Sequence, residues 1–316
     1  MKMKKGQVQG IQAALASAFF LGLAPVFGRQ AILFGFSPLA VVALRTFLAS
    51  LLLLFVLSLR GRNLFYIFPF GLAGCVLAGT INGIGSILYY LALERLNANV
   101  GQMLYSLYPL FVAISMAFDR QPISKLTLIR IGLATIAVLL LTQTQSTKAD
   151  LTGIAMMLGA SLLYALHLPI NQRVLYEIPA PTVTFYTLLS MSLVVVPAYL
   201  LFDRRIPSLT FPWWPIAGLT MVTFLSRLSL FLGVKRLGGM QTALLGLAEL
   251  LVTIIASHFW LREDLSIFQW VGVIILGTTL LLVRFEPEPE RKAGKEGWLN
   301  WIQPPQPPTD IWSPNE

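Results

Sequence analysis

One cysteine and two histidines are the whole stock of thiol and imidazole in this 316-residue chain. Cys75 alone cannot close an intramolecular disulfide, and a redox role has no second thiol to support it. A single cysteine within an apolar helix is most often a small hydrophobe. His167 and His258 stand far apart, so no zinc or haem ligand set is expected and no cofactor is called for. The pattern GxxxxGK(S/T) is missing, which excludes nucleotide hydrolysis by the P-loop route.

Charge is scarce as well. Asp, Glu, Lys and Arg make up 12% of the chain and hydrophobic residues 56%, against about 25% charged residues in an average soluble domain. A soluble fold has no way to hide so much apolar surface. Segments of alternating polarity, the mark of strands, are also missing. What is present is a series of apolar blocks near the length that a helix needs to cross about 30 Å of hydrocarbon. Ten can be read, at about 11–33, 38–58, 68–91, 98–118, 126–143, 152–170, 181–202, 213–236, 239–260 and 267–284. The expectation is an all-α polytopic membrane protein. The first block follows MKMKK but is too long for a signal-peptide core, carries Pro25 and Arg29, and ends without a small-residue cleavage site. It reads as a retained span.

The blocks repeat. ALASAFFLGLAPVFGRQAIL (14–33) returns in outline as LGASLLYALHLPINQRVLYE (158–177), setting Ser17 on Ser161, Pro25 on Pro169 and Arg29 on Arg173. YLALERLNA (90–98) returns as FLGVKRLGG (231–239), setting Arg95 on Arg236. The offsets are 144 and 141, in the same order along the chain. Two repeats with five spans each must cross the bilayer in opposite senses, the design of many secondary transporters with a site between the halves.

The net charge of +9 raises the question of nucleic acid, but its distribution answers it. With the N-terminus inside, the inner segments hold fifteen basic residues: Lys2, Lys4, Lys5, Arg60, Arg62, Arg120, Lys125, Arg130, Arg173, Lys235, Arg236, Arg284, Arg291, Lys292 and Lys295. The outer loops hold five, Arg95, Lys148, Arg204, Arg205 and Arg262, while Arg29, Arg45 and Arg227 fall within spans. This bias follows the positive-inside rule and places both termini in the cytoplasm. The basic surplus is thus matched to anionic lipid, and no nucleic-acid partner is expected. After Arg284 the composition turns to charge and proline, so residues 285–316 read as a disordered cytoplasmic tail. Its Trp298, Trp301 and Trp312 suit the membrane surface, while a solvated tail is the blander reading.

Specific residues now resemble a family. LLGLAELLVTIIASHFWLREDLSIFQWVGVIILGTTLLLV (244–283) is similar to the closing segment of EamA-type transporters of the drug/metabolite transporter superfamily. The matching positions are Glu249, Glu263, Gln269 and Gly272, with Leu250 where that family has proline after the glutamate. SPLAVVALRTFLASLLLL (37–54), with Arg45, and YYLALERLNANVGQMLYSLYPLFVAI (89–114), with Pro109, resemble its first half. The glutamate expected after the fourth span is replaced here by Asp119 and Gln121 as the nearest candidates. The resemblance covers about residues 10–284. It implies ten helices in two inverted five-helix repeats, 1–146 and 147–284, and a cavity lined mainly by spans 1, 3, 4, 6, 8 and 9. It also implies export of a small metabolite or drug by alternating access, in the bacterial inner membrane, with no enzymatic activity.

Charges at membrane depth are costly and face a cavity or the bundle interior. On that ground Glu249 reads as a coupling or binding carboxylate, or else as a buried structural group. Arg227 reads either as an anion anchor or as the partner of Glu249. Arg45, on a span outside the family's main cavity set, reads as gating or structural, together with Pro25, Pro109 and Pro169. Asn82, Tyr89, Gln102, Tyr105 and Tyr108 form neutral polar stripes suited either to a small solute or to interhelical hydrogen bonds. Gln241 and His167 complete the candidate binding set, although a packed neutral imidazole is the blander reading of His167.

The partners expected are a small-molecule substrate, membrane lipid and a coupling proton or ion, with a second copy of the chain as a further candidate. A sugar-phosphate or nucleotide-sugar exchanger is the alternative within transporters. A lipid-modifying membrane enzyme is the rival class, but it would need a polar cluster near one interface that the sequence does not show.

Overall fold

Inside a bilayer the backbone has no water to bond, so each span must satisfy its own N–H and C=O groups as a helix. The computed structural model describes residues 5–96, 98–119, 123–141, 150–203, 210–261, 266–285 and 298–302. Those residues form twelve α-helices. The first repeat holds α1 (Lys5–Leu33), α2 (Pro38–Arg60), α3 (Pro69–Arg95), α4 (Ala98–Tyr105), α5 (Tyr108–Phe118) and α6 (Lys125–Leu141). The second holds α7 (Leu151–Leu175), α8 (Ala180–Phe202), α9 (Trp214–Leu237), α10 (Gly239–Gly246), α11 (Ala248–Leu261) and α12 (Ile267–Leu281).

Six helices are individually long and apolar enough to cross a membrane: α1, α2, α3, α7, α8 and α9. The fourth and ninth spans, read from the sequence as continuous, are each broken in two, as α4–α5 and α10–α11. Local chemistry sets several ends. The Ser37 side chain accepts from Ala40 N and caps α2 ahead of Pro38. Asp150 accepts from Gly153 N and Thr152 N at the start of α7. Its bond from Gly153 N–H, chiefly, and its contacts with Arg95 and Thr152 hold this carboxyl below its usual range.

The packing is symmetric between repeats. α1 lies against α9 and α11, and the repeat mates of these pairs, α7 against α3 and α5, are also in contact. α2 packs on its own mate α8, and α6 on its mate α12. Because each repeat crosses five times, the mates run in opposite senses. Calling the face where α1 begins the near face, Arg29 lies toward the far end of α1 and Arg173 toward the near end of α7. Likewise Arg95 ends α3 at the far face and Arg236 closes α9 at the near face. Cross-links agree: Arg29 Nη1 donates to Leu93 O at 3.1 Å on the far side, and Lys235 Nζ to Ile178 O at 2.9 Å on the near side.

Small residues allow the closest approach. A Cβ on Gly22 would sit 2.7 Å from Glu249 O, so α1 and α11 meet backbone to backbone beside the carboxylate. Outward-facing Leu33, Leu59, Phe118, Leu193, Phe202 and Ile274 remain exposed, the surface a lipid-embedded bundle presents.

Arg130 and Arg173, counted among the basic residues of the inner segments, are buried within α6 and α7, both toward the near face. One sequence expectation changes: the tail is not uniformly without structure. At Trp298–Ile302 it forms a turn whose Leu299 and Ile302 are buried in the main core, with Leu299 N donating to Asp119 Oδ1 at 3.2 Å. Ile302 reaches the Cβ-free surface of Gly74, while Trp298 and Trp301 stay outside. Two apolar residues three positions apart can share one face, and that suffices to seat this short segment.

Candidate functional site

The two helix breaks lie at repeat-equivalent positions and are each closed by a neighbour. Pro109 has no N–H to offer the carbonyl four residues back, so Tyr105 O would be orphaned. Ser161 of α7 supplies the missing donor, with Oγ bonded to Tyr105 O at 2.9 Å. In the second repeat Leu250 replaces the expected proline and keeps its N–H, which donates to Leu247 O at 3.1 Å. Ser17, the mate of Ser161, is correspondingly buried with no hydrogen-bond partner. The second break persists for another reason. Ala243 O, which Leu247 N–H would reach in a continuous helix, accepts instead from the Tyr108 hydroxyl at 2.9 Å, while Leu247 N–H turns to Leu245 O. That hydroxyl occupies the place where a side chain on Gly246 would begin. Tyr108 and Glu249, at the offset of 141, each stand in the first turn beyond a break.

Beside the breaks is a small cavity walled by both repeats. Leu21 and Ala24 come from α1, Arg45 from α2, Asn82, Gly85, Ser86, Tyr89 and Tyr90 from α3, and Gln102 and Tyr105 from α4. The second repeat adds Ala160 and Tyr164 from α7, Arg227 from α9 and Glu249 from α11. All lie in the middle or far portion of their spans. On the near side lie the Tyr108–Ala243 bond and that of Gln172, whose Oε1 accepts from Gly239 N at 2.6 Å.

The charged groups do not neutralise one another. Arg227, 5% exposed, is held by Asn82, whose amide oxygen accepts from both guanidinium Nη atoms at 3.0 and 3.2 Å in the orientation its neighbours dictate. Its Nη1 also lies 3.4 Å from His167 Nε2, and its guanidinium carbon is 5.6 Å from the Tyr164 ring centre. Because Arg227 can only donate, Nε2 must accept, so His167 carries its proton on Nδ1, which donates to Tyr164 O. Arg45 donates to Thr223 Oγ1 and Ser86 Oγ, both at 3.4 Å, and lies 4.8 Å from the Tyr90 ring centre. Glu249 is 2% exposed; its Oε1 has no hydrogen-bond partner, and it makes no ion pair among the described residues.

Of the residues singled out from the sequence, Glu249, Arg227, Asn82, Tyr89, Gln102 and Tyr105 meet at this cavity. Four depart from their sequence reading. Arg45 stands in the wall rather than at a remote gate, because its long side chain carries the guanidinium from α2 to α3 and α9. Tyr108 is a clasp between α5 and α10 and does not line the cavity. Gln241 faces away from it: its Oε1 accepts from Arg130 Nη1 and its Nε2 donates to Thr127 Oγ1 at 3.1 Å, tying α10 to α6. Arg227 does not pair with Glu249 as one reading had it, but with Asn82 and His167.

His167 is a packed neutral imidazole that orients Arg227. Pro25 and Pro169 lie inside continuous helices, and Pro109 sits at a break. His258, Glu263 and Gln269 have side chains outside the described residues. Sequence reasoning passed over Tyr164, an ordinary helix residue whose place in the cavity wall is set by its neighbours.

Comparison with known proteins fits this geometry. No curated protein matches the sequence. A solved structure described only as "Crystal structure of protein" superposes with a TM-score of 0.71 at 14% identity, over 90% of this chain and 99% of its own, which establishes a shared fold. The model of the EamA-like transporter family matches twice, over residues 8–143 and 151–285, one match for each repeat. With ten spans, paired helix breaks and two family matches in tandem, this integral membrane chain belongs to the EamA-like transporter family of the drug/metabolite transporter superfamily.

Proposed function

We propose that the protein is a secondary active transporter that moves a small metabolite or drug outward, across a bacterial inner membrane, by alternating access at the cavity between its repeats. In this reading residues 1–146 and 147–284 are the two moving halves and both termini are cytoplasmic, so the near face is the cytoplasmic one. The observation that carries it is the pair of helix breaks. Both halves place a discontinuous helix beside one cavity, the arrangement by which inverted-repeat transporters expose a midplane site to alternate sides. On the near side the Tyr108–Ala243 bond joins α5 of the first half to α10 of the second, so it can part without unfolding a helix, while Gln172–Gly239 holds α7 to α10 within the second half. In this reading the near side is shut and the cavity is turned outward.

Glu249 supports coupling to a proton. An ionised carboxylate buried without a counter-ion is expensive, and binding either a proton or a positively charged group removes the expense. The reading is tested by counterflow in proteoliposomes of purified protein, with no nucleotide present, across amino acids, sugar phosphates, nucleosides and drugs. Accumulation of labelled solute against its unlabelled form is expected for at least one class. Preference for sugar phosphates would favour the exchanger reading, and turnover of lipid without transport would favour the enzyme.

A further inference from the structure

We infer that Arg45 and Arg227 form a single anion site and that the solute admitted to the cavity is a small carboxylate bearing one negative charge. The inference rests on the transport reading and deepens it. Asn82 and Ser86 are one helical turn apart on α3, as are Thr223 and Arg227 on α9. Arg45 is bonded to Ser86 and Thr223, and Arg227 to Asn82, so the two guanidinium groups are anchored in adjacent layers, their partners one helical turn apart. Both are at least nine-tenths buried and both line the cavity.

Among the described residues neither has an acidic partner, and Arg45 Nε has no hydrogen-bond partner. The neutral groups they do meet orient the planar forks without cancelling their charge. Asn82 and His167 accept from Arg227, and Ser86 and Thr223 accept from Arg45 at the long distance of 3.4 Å. Two like charges held this close at membrane depth repel, and the group that relieves both is an anion between them. Guanidinium forks match the two oxygens of a carboxylate, each bond being charge-assisted.

The charge of the solute follows from Glu249, which shares the cavity. In the state of the cycle in which Glu249 has released its proton, two guanidinium groups and one carboxylate leave a single positive charge to be balanced. A dianionic phosphate would bring a second negative charge near Glu249 and be repelled, whereas a monocarboxylate closes the balance. The tyrosines around it, Tyr89, Tyr90, Tyr105 and Tyr164, offer ring faces and hydroxyls to the remainder of the solute.

The test uses the purified full chain and matched probes: a panel of monocarboxylates from lactate to 4-hydroxybenzoate, each with its uncharged amide, together with 4-hydroxybenzylamine and inorganic phosphate. Thermal stabilisation and counterflow are read for each. At least one carboxylate is expected to bind at least about tenfold more tightly than its amide, with phosphate and the amine weaker. Arg45→Gln and Arg227→Gln are each expected to remove that preference, and Arg45→Lys to keep part of it. If a glutamine variant fails to fold, the carboxylate-to-amide ratio in the unaltered protein still decides. Equal binding of acids and amides, or no binding by any acid at millimolar concentration while a neutral or cationic solute is transported, overturns the anion site and leaves the transporter intact. Failure of every solute class in counterflow counts against the transporter reading itself.

Discussion

Glu249→Gln is expected to abolish transport driven by a proton gradient while solute exchange without a gradient continues. Glutamine keeps the shape of the side chain and its capacity to accept a hydrogen bond, but it can neither bind nor release a proton. Glu249 is placed for such a role by several features at once. It opens α11 just beyond the break at Leu247, α1 presses against its backbone at Gly22, and its Oε1 is left without a partner beside the cavity. The fixed cation that could have locked it in the charged form, Arg227, is engaged by Asn82 and His167 instead. Gradient-driven transport and exchange are measured on the same vesicles, so a loss of protein is separated from a loss of coupling. Equal gradient-driven rates for the two proteins across the pH range would leave Glu249 a structural residue.

The second large effect concerns the clasp. Gly246→Ala puts a methyl group where the Tyr108 hydroxyl lies, and overpacking of that kind costs about 1–3 kcal/mol. Tyr108→Phe removes the hydroxyl and leaves Ala243 O unbonded, a comparable loss of about 1–3 kcal/mol. The two changes should not add. With the hydroxyl gone the methyl group has room, so the double variant is expected to be no less stable than Tyr108→Phe alone, a coupling between contacting residues that a double-mutant cycle detects. Thermal melting of the four proteins in detergent gives the cycle. Additive losses would mean that Tyr108 and Gly246 do not share one space, and the account of the second break would fail with them.

The sequence made much of this legible because membrane insertion constrains it so strongly. Apolar blocks of about twenty residues and two offset matches were enough for ten spans and a pair of repeats, and the resemblance of the segments around Glu249, Arg45 and Pro109 for the family. Glu249 and Arg227 stood out because a charge in hydrocarbon calls for an explanation on its own. The breaks were less visible. Pro109 announces a missing donor, but the Ser161 hydroxyl that compensates lies in another helix, and Leu247 carries no local signal. Read with the offset of 141, Leu247 falls opposite Ser106, so the second break was present in the repeat though absent from the residue.

Arg45 and Gln241 show the opposite failure. Depth along a span says how costly a polar group is, not which way it points. Arg45 turned inward to Ser86 and Thr223, and Gln241 turned outward to Arg130. Arg130 itself, read as a basic residue of an inner segment, is fully buried and also donates to Thr279 O at 3.1 Å, because α12 packs over α6. Helix rotation and neighbour identity decide such cases, and both are tertiary facts.

The central claim is that one cavity, walled by both repeats, is reached from the two sides of the membrane in turn. With only Cys75 to replace, the chain suits a labelling measurement. Ala24→Cys in a Cys75→Ala background places one thiol on the cavity wall, and Lys2→Cys in the same background marks the cytoplasmic side. A membrane-impermeant thiol reagent is applied to intact cells and to inverted vesicles, with and without transported solute. The account predicts that position 24 is labelled from outside at rest, that solute shifts labelling toward the inside, and that labelling stops transport, while position 2 reacts only in inverted vesicles. Position 24 unlabelled from either side during undiminished transport would contradict it.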